Sequence, residues 1–345
     1  MKACVLGAGS WGTALASVLV SNQWDVTIWA RRLEVAEDIN LRGRNERYLP
    51  GARLPAGLRA VTDPEDALRH AELVVLAVPS GAVADMLPFL RGLGEDVLLV
   101  HAVKGFVRPD NLRVSAWLER HIPGIERRLA VISGPSHAEE VVRQLPTTVV
   151  VASASRRVAE SAQDALMTER FRVYTQADVV GVELGGALKN IIALGAGLAE
   201  GLGLGDNTRA ALMTRGLAEI TRLGVALGAS PLTFSGLAGI GDLIVTCTSE
   251  HSRNHRAGRL LAKGLSLSEV LASIGMVVEG VHATFAAEQL AKDCGVEMPI
   301  THAIARVLMG EISPSEAIEL LMTRDKNHEM EVVGAQPLTA EFRLP

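Results

Sequence analysis

The tightest constraint on this chain is a glycine run near its start. Gly7-Ala8-Gly9-Ser10-Trp11-Gly12 follows a short apolar run at residues 3–6 and opens a helical pattern at residues 13–21. Between a strand and a helix, this spacing has a physical reading. Gly7 permits a tight turn, Gly9 lets backbone approach a ligand closely, and Gly12 lets helix pack against strand. The free N–H groups at the helix start then face an anion such as a diphosphate. Such a glycine pattern is weak alone; its placement makes a dinucleotide-binding turn the expectation.

The surroundings support that placement. Apolar runs at 25–29, 73–78, 97–102, 129–132 and 147–152, with a further one at 171–175, alternate with helical patterns. Alternation of this kind predicts an α/β fold: a Rossmann-like, doubly wound, mostly parallel sheet. Past residue 177 the texture changes to Ala, Leu, Gly and Glu at helical spacing. Helices are expected at 179–201, 208–228, 267–274, 284–293, 302–309 and 313–322, a C-terminal all-helical domain. The 345 residues therefore divide into a dinucleotide-binding domain at 1–178, a helical substrate and catalytic domain at 179–330, and an irregular tail at 331–345.

Composition narrows the function classes. The chain is 48 % hydrophobic and 21 % charged, with a net charge of −5 and no basic stripe, so nucleic acid is a poor partner. Cys4, Cys247 and Cys294 form no disulfide or metal-ligand spacing, which fits a reducing cytoplasm. The opening residues do not read as a secretory leader. The apolar stretch 181–205 carries Glu183, Lys189 and Glu200, three charges that a span of about 20 residues rarely tolerates. It reads as a buried helix, not a membrane span. His251 and His255 have helical spacing but lack the remaining parts of a metal motif, so no metal is expected.

Individual residues then suggest chemistry. An acid customarily ends the second strand and bonds the ribose 2′-hydroxyl; here Arg31 and Arg32 stand in that region. Guanidinium groups suit a 2′-phosphate, so NADP is favoured over NAD. Lys104 follows the strand at 97–102, at the carboxyl edge where open sheets bind ligands. Gly134 and Ser136 follow the next strand in a turn suited to an oxygen-rich ligand. Lys189 lies on a helix that is apolar nearly all round, where desolvation would lower its pKa into acid–base range. Glu183 falls nearly opposite on that helix and should not pair with it. Asp242 would pair with Lys189 across a cleft, with Thr246 one turn on. Ser252, Arg253 and Asn254 supply hydroxyl, guanidinium and amide donors for a phosphate, beside an expected helix start. On these residues alone three readings stay open: a dehydrogenase for a phosphorylated ketone or alcohol, one for a hydroxyacid, and a non-catalytic dinucleotide sensor.

Several segments together resemble one family: GAGSWGTALA (7–16), SGPSHAEEV (133–141), ELGGALKNIIALGAGLAEGLGLGDNTRAAL (183–212), GLAGIGDLIVTCTSEHSRN (236–254) and VEG (278–280). The chain resembles the NAD(P)-dependent glycerol-3-phosphate dehydrogenases of bacterial type, from about residue 2 to about 325. The resemblance implies reversible reduction of dihydroxyacetone phosphate to sn-glycerol 3-phosphate, feeding phospholipid synthesis. It implies that Gly7, Gly9, Gly12, Ser10, Trp11, Arg31, Arg32, Tyr48, Ala138, Val277 and Glu279 line the cofactor. Lys104 and Arg253 would touch both cofactor and substrate. Gly134, Ser136, Ser252 and Asn254 would hold substrate, with Arg253 the phosphate clamp. Lys189 would be the general acid, with Asp242 and Thr246 around the reacting carbonyl. His137 departs from the residue usual in the family without changing the chemistry class. A cytoplasmic homodimer is compatible with the resemblance.

Overall fold

The computed structural model describes residues 1–326; the expected tail at 331–345 and the last residues of the expected helical domain lie outside the described residues. Eight strands form one sheet: β1 (Lys2–Leu6), β2 (Asp25–Trp29), β3 (Arg59–Val61), β4 (Leu73–Leu76), β5 (Leu98–His101), β6 (Leu129–Ser133), β7 (Thr147–Ala152) and β8 (Phe171–Gln176). Their spatial order is β3-β2-β1-β4-β5-β6-β7-β8. Side chains alternate across each strand. Val5, Leu73 and Val75 enter the core on one face, while Cys4, Leu6, Val74 and Leu76 enter the core on the other. Burial on both faces explains why these strands read as continuous apolar runs.

The expected doubly wound, mostly parallel sheet is present, with two features the sequence did not announce. Strand β3 is three residues long and begins with Arg59, too short to show a period. Strand β7 runs antiparallel to β6. A parallel return needs a long crossover packed on a sheet face. Here residues 134–146 hold only the four-residue helix Ala138–Val141, and the chain turns back directly. The strand order reverses between β1 and β4, so their carboxyl ends open a crevice of the kind in which such sheets bind ligands.

Helices fill the rest. The 23-residue helix Val179–Gly201 is buried over almost its whole length, and Leu184, Leu188, Ile191 and Ile192 anchor a second core around it. Its closest neighbour is Arg253–Ala262. A Cβ on Gly197 would stand 2.0 Å from the His255 carbonyl, and one on Gly258 would stand 2.1 Å from that of Leu194. The two backbones therefore touch, and only glycine permits it. Val179–Gly201 and the run Pro231–Thr248 are long and apolar enough to cross a membrane. The first is packed inside protein; the second is broken at Gly239, whose φ and ψ are −98° and −106°.

Serine caps explain several helix starts. Ser266 and Glu269 form a capping box on Leu267–Ile274, and Ser313 and Glu316 form another on Pro314–Met322. Helices expected to begin at 284 and 302 begin earlier, as Glu279–Cys294 and Pro299–Met309. Their first turns open on Glu279 and Pro299, so the apolar period begins only later.

Candidate active site

The glycine turn sits where β1 meets the helix Ser10–Ser21. Gly7 adopts φ +118°, and a Cβ there would lie 2.8 Å from the Ala77 carbonyl. A Cβ on Gly12 would lie 1.9 Å from the Gly7 carbonyl, whereas one on Gly9 meets nothing within 4 Å. Gly7 and Gly12 are thus required by the protein itself, and Gly9 borders open space. The helix has no side-chain cap and no acid in its first turn, leaving its first N–H groups available to an anion. The Trp11 indole N–H is buried without a partner. Ser10 donates to the Tyr48 carbonyl at 2.7 Å, which brings the Tyr48 loop beside the turn. These features fit a dinucleotide diphosphate.

Arg31 and Arg32 lie exposed just past β2, on the side of the turn away from β5. Arg32 precedes the helix Leu33–Arg42 and reaches Glu34 at 3.3 Å. On the opposite side, Glu279 accepts from the Ser80 backbone N–H at 2.9 Å and from its hydroxyl at 2.6 Å. This bond joins the helical part to the end of β4. Ala138 opens the short helix after β6.

The polar centre lies at the carboxyl end of β5 and β6. Lys104 donates to Asp242 Oδ2 at 2.8 Å and to the Gly134 carbonyl at 3.0 Å. Lys189 donates to Asp242 Oδ1 and, at 2.7 Å, to Thr246 Oγ1. One buried carboxylate therefore holds two amines, from opposite halves of the molecule. Burial would raise the Asp242 pKa, yet the two lysines outweigh it and keep the group ionised. Burial lowers Lys189 to about 7, with Asp242 opposing the shift and Lys104 adding to it. The Lys104 Nζ also lies 6.0 Å from the Trp11 ring centroid, so the amine pair adjoins the glycine turn.

The remaining residues are arranged differently from one another. Ser136 donates to the Gly134 carbonyl at 2.9 Å, and His137 lies 3.2 Å from the Val245 carbonyl. Arg253 donates to the Val277 carbonyl at 2.8 Å, which holds its guanidinium near Glu279. Ser252 caps the helix Arg253–Ala262 by accepting from the His255 N–H at 3.2 Å. Asn254 accepts from the Gly280 N–H at 2.9 Å and donates to Asn190 at 2.8 Å. Asn190 in turn lies 3.3 Å from the Lys104 carbonyl. Asn190 has no role assigned from the sequence alone. A buried amide directly after Lys189 was the available signal. Glu183 does face away from Lys189, as expected, and meets Arg113 and Ser115. Among the described residues there is no cluster of three side chains suited to a metal.

A doubly wound sheet with a glycine turn at its switch point, joined to a helical unit that contributes a buried lysine, defines a dinucleotide-dependent oxidoreductase. Comparison with known proteins narrows the class. Residues 2–159 match the model of the NAD-dependent glycerol-3-phosphate dehydrogenase N-terminus, and residues 178–319 match that of its C-terminus. A glycerol-3-phosphate dehydrogenase [NAD(P)+] of Pelotomaculum thermopropionicum is 54 % identical, covering 99 % of both chains. Its counterpart in Bacillus subtilis is 51 % identical, covering 96 % of both. The crystal structure of glycerol-3-phosphate dehydrogenase from Coxiella burnetii superimposes with a TM-score of 0.88 at 36 % identity, covering 94 % of this chain and 99 % of that one. The chain belongs to the NAD-dependent glycerol-3-phosphate dehydrogenase family.

Proposed function

We propose that this protein reversibly reduces dihydroxyacetone phosphate to sn-glycerol 3-phosphate, with NADPH favoured over NADH, and so supplies phospholipid synthesis. The observation that carries the reading is the pair of amines on Asp242, beside the glycine turn. Residues 1–178 act as the dinucleotide-binding domain and 179–330 as the substrate and catalytic domain. A nicotinamide dinucleotide held by Gly7, Gly9, Ser10, Trp11 and Gly12 supplies the hydride. Arg31 and Arg32 would hold its 2′-phosphate, and Tyr48, Ala138, Val277 and Glu279 would complete its surroundings.

The chain's own groups do the rest. With Lys189 protonated, two amines against one buried carboxylate place positive charge where negative charge develops on the ketone oxygen. Lys189, with a pKa near 7, donates a proton to the ketone oxygen, a contribution of about 10²–10⁴ in rate. Asp242 and Thr246 hold its Nζ in place. Lys104, Gly134 and Ser136 border the substrate. Arg253 clamps the phosphate with Ser252 and Asn254 at the same helix start. Binding energy spent on that remote group fixes the reacting geometry. The partner is thus a small phosphorylated molecule; the family resemblance is what supports a cytoplasmic location and compatibility with a homodimer.

The test is NADPH oxidation followed by absorbance, with dihydroxyacetone phosphate and with dihydroxyacetone. Turnover should depend on the phosphate, and Lys189→Ala should lose about 10²–10⁴ in turnover while still binding NADPH. Equal use of both ketones would remove the phosphate reading. Absence of oxidation with either would remove the dehydrogenase reading.

A further inference from the structure

Glu183 has no part in the chemistry above, yet it is 6 % exposed and ionised. Its Oε1 accepts from the Ser115 N–H at 2.8 Å and lies 3.2 Å from His101 Nε2. Its Oε2 accepts from the Ser115 hydroxyl and from Arg113, each at 2.5 Å. Burial alone would raise its pKa, but His101, Arg113 and Ser115 outweigh burial and hold it at about 2.

The positions of these partners matter. His101 ends β5, and Arg113 and Ser115 lie at the start of the helix Val114–His121. Between them runs the loop that carries Lys104, narrowed by a backbone bridge between Val107 and Leu112. The far end of that loop is therefore hydrogen-bonded to the carboxylate through Arg113 and Ser115, and the near end sets the His101 ring against it without a hydrogen bond. That carboxylate rides on the same helix as Lys189, six residues earlier and so about 9 Å along the axis. A helix can usually be packed on a sheet at least as stably with apolar side chains as with a buried ion pair. What the ion pair adds here is a fixed register between the loop of Lys104 and the helix of Lys189.

We infer that Glu183 is a positioning residue, anchoring the Lys104 loop so that Lys104 and Lys189 meet on Asp242. The inference rests on the catalytic reading of that lysine pair. The charged and titratable groups facing Glu183 are His101, Arg113 and Glu119. Those facing Lys189 are Asp242, Lys104, His137 and Cys247.

The experiment compares the wild-type enzyme with Glu183→Gln and Ser115→Ala. Steady-state kinetics are measured across pH, and melting temperature is measured in parallel. In folded Glu183→Gln, kcat should fall on the order of 10²-fold, as for a misplacement of about 1 Å. The fall in kcat should exceed any rise in the KM for NADPH, because the glycine turn keeps its own contacts and only Lys104 beside Trp11 is displaced. Release of Lys104 also relieves its repulsion of Lys189, so the alkaline limb of the reduction profile should move to higher pH. Restoring the charge with Glu183→Asp should recover part of kcat. Should Glu183→Gln fail to fold, Ser115→Ala carries the same test, because it deletes one hydroxyl and keeps the backbone donor. A lower melting temperature with unchanged kcat and pH limb, in either variant, would overturn the inference. An inactive wild-type enzyme would instead overturn the reading on which it rests.

Discussion

At Lys189, burial and charge act against each other. Removal from water disfavours the ammonium, Lys104 disfavours it further, and Asp242 restores part of it, leaving the group near pH 7. Reduction needs the ammonium as acid, and oxidation needs the free amine as base. The sign follows: kcat for ketone reduction should fall as pH rises through about 7, while kcat for alcohol oxidation rises over the same range. Rate–pH profiles in both directions check this. A shared limb, or one that survives in Lys189→Ala, would remove Lys189 from the role. The residue was legible because a lysine on an all-apolar helix is uncommon. Its partner Asp242 was legible as the acid ending a glycine-rich run. Ser252 and Asn254 were read from composition as phosphate donors; in the folded protein Ser252 also caps a helix and Asn254 also braces Asn190 and Gly280. Asn190 and Gly280 lie on distant segments, so composition alone had no access to them.

At the level of elements, the glycine turn separates what the fold needs from what the ligand needs. Gly12→Ala would force a methyl to within 1.9 Å of the Gly7 carbonyl, so both melting temperature and cofactor binding should drop. Gly9→Ala meets no protein atom within 4 Å. Its melting temperature should stay close to wild type while NADPH affinity falls by about tenfold or more, the scale of a lost charge-assisted hydrogen bond. Thermal melts with NADPH fluorescence titrations read both. A Gly9→Ala protein that binds NADPH normally would show that no ligand approaches there. The strands and the long helix were readable from period and apolar content. Strand β3 was not, being too short to show a period. The antiparallel β7 was not, because its direction is set by the connection and not by its own residues.

Across the whole molecule, the two halves meet through an apolar patch, in which Val131, Val150 and Ala152 pack against Val182 and Ala238, and through polar joints: Lys104 on Asp242, Arg113 and Ser115 on Glu183, and Ser80 on Glu279. A ligand bound between them stabilises the folded state by mass action, about 2.7 kcal/mol at one hundred times its dissociation constant. At equal concentrations NADPH should raise the melting temperature more than NADH does. Arg31→Ala should shrink that difference. Equal shifts from the two cofactors would count against Arg31 and Arg32 as the 2′-phosphate site. The exposed position of both arginines past β2 leaves them open to such a ligand, at the end of the crevice remote from the amines.

Local pattern was enough to place the glycine turn, the sheet and the helical second half, because each depends on periodicity or on what one glycine allows. The long-range pairings came only with folding. Two lysines on one carboxylate, and a buried glutamate that meets Arg113 and Ser115, join segments far apart in the chain. Their ionisation follows from the dry, charged surroundings that the packed molecule builds around them, which no short window of residues contains.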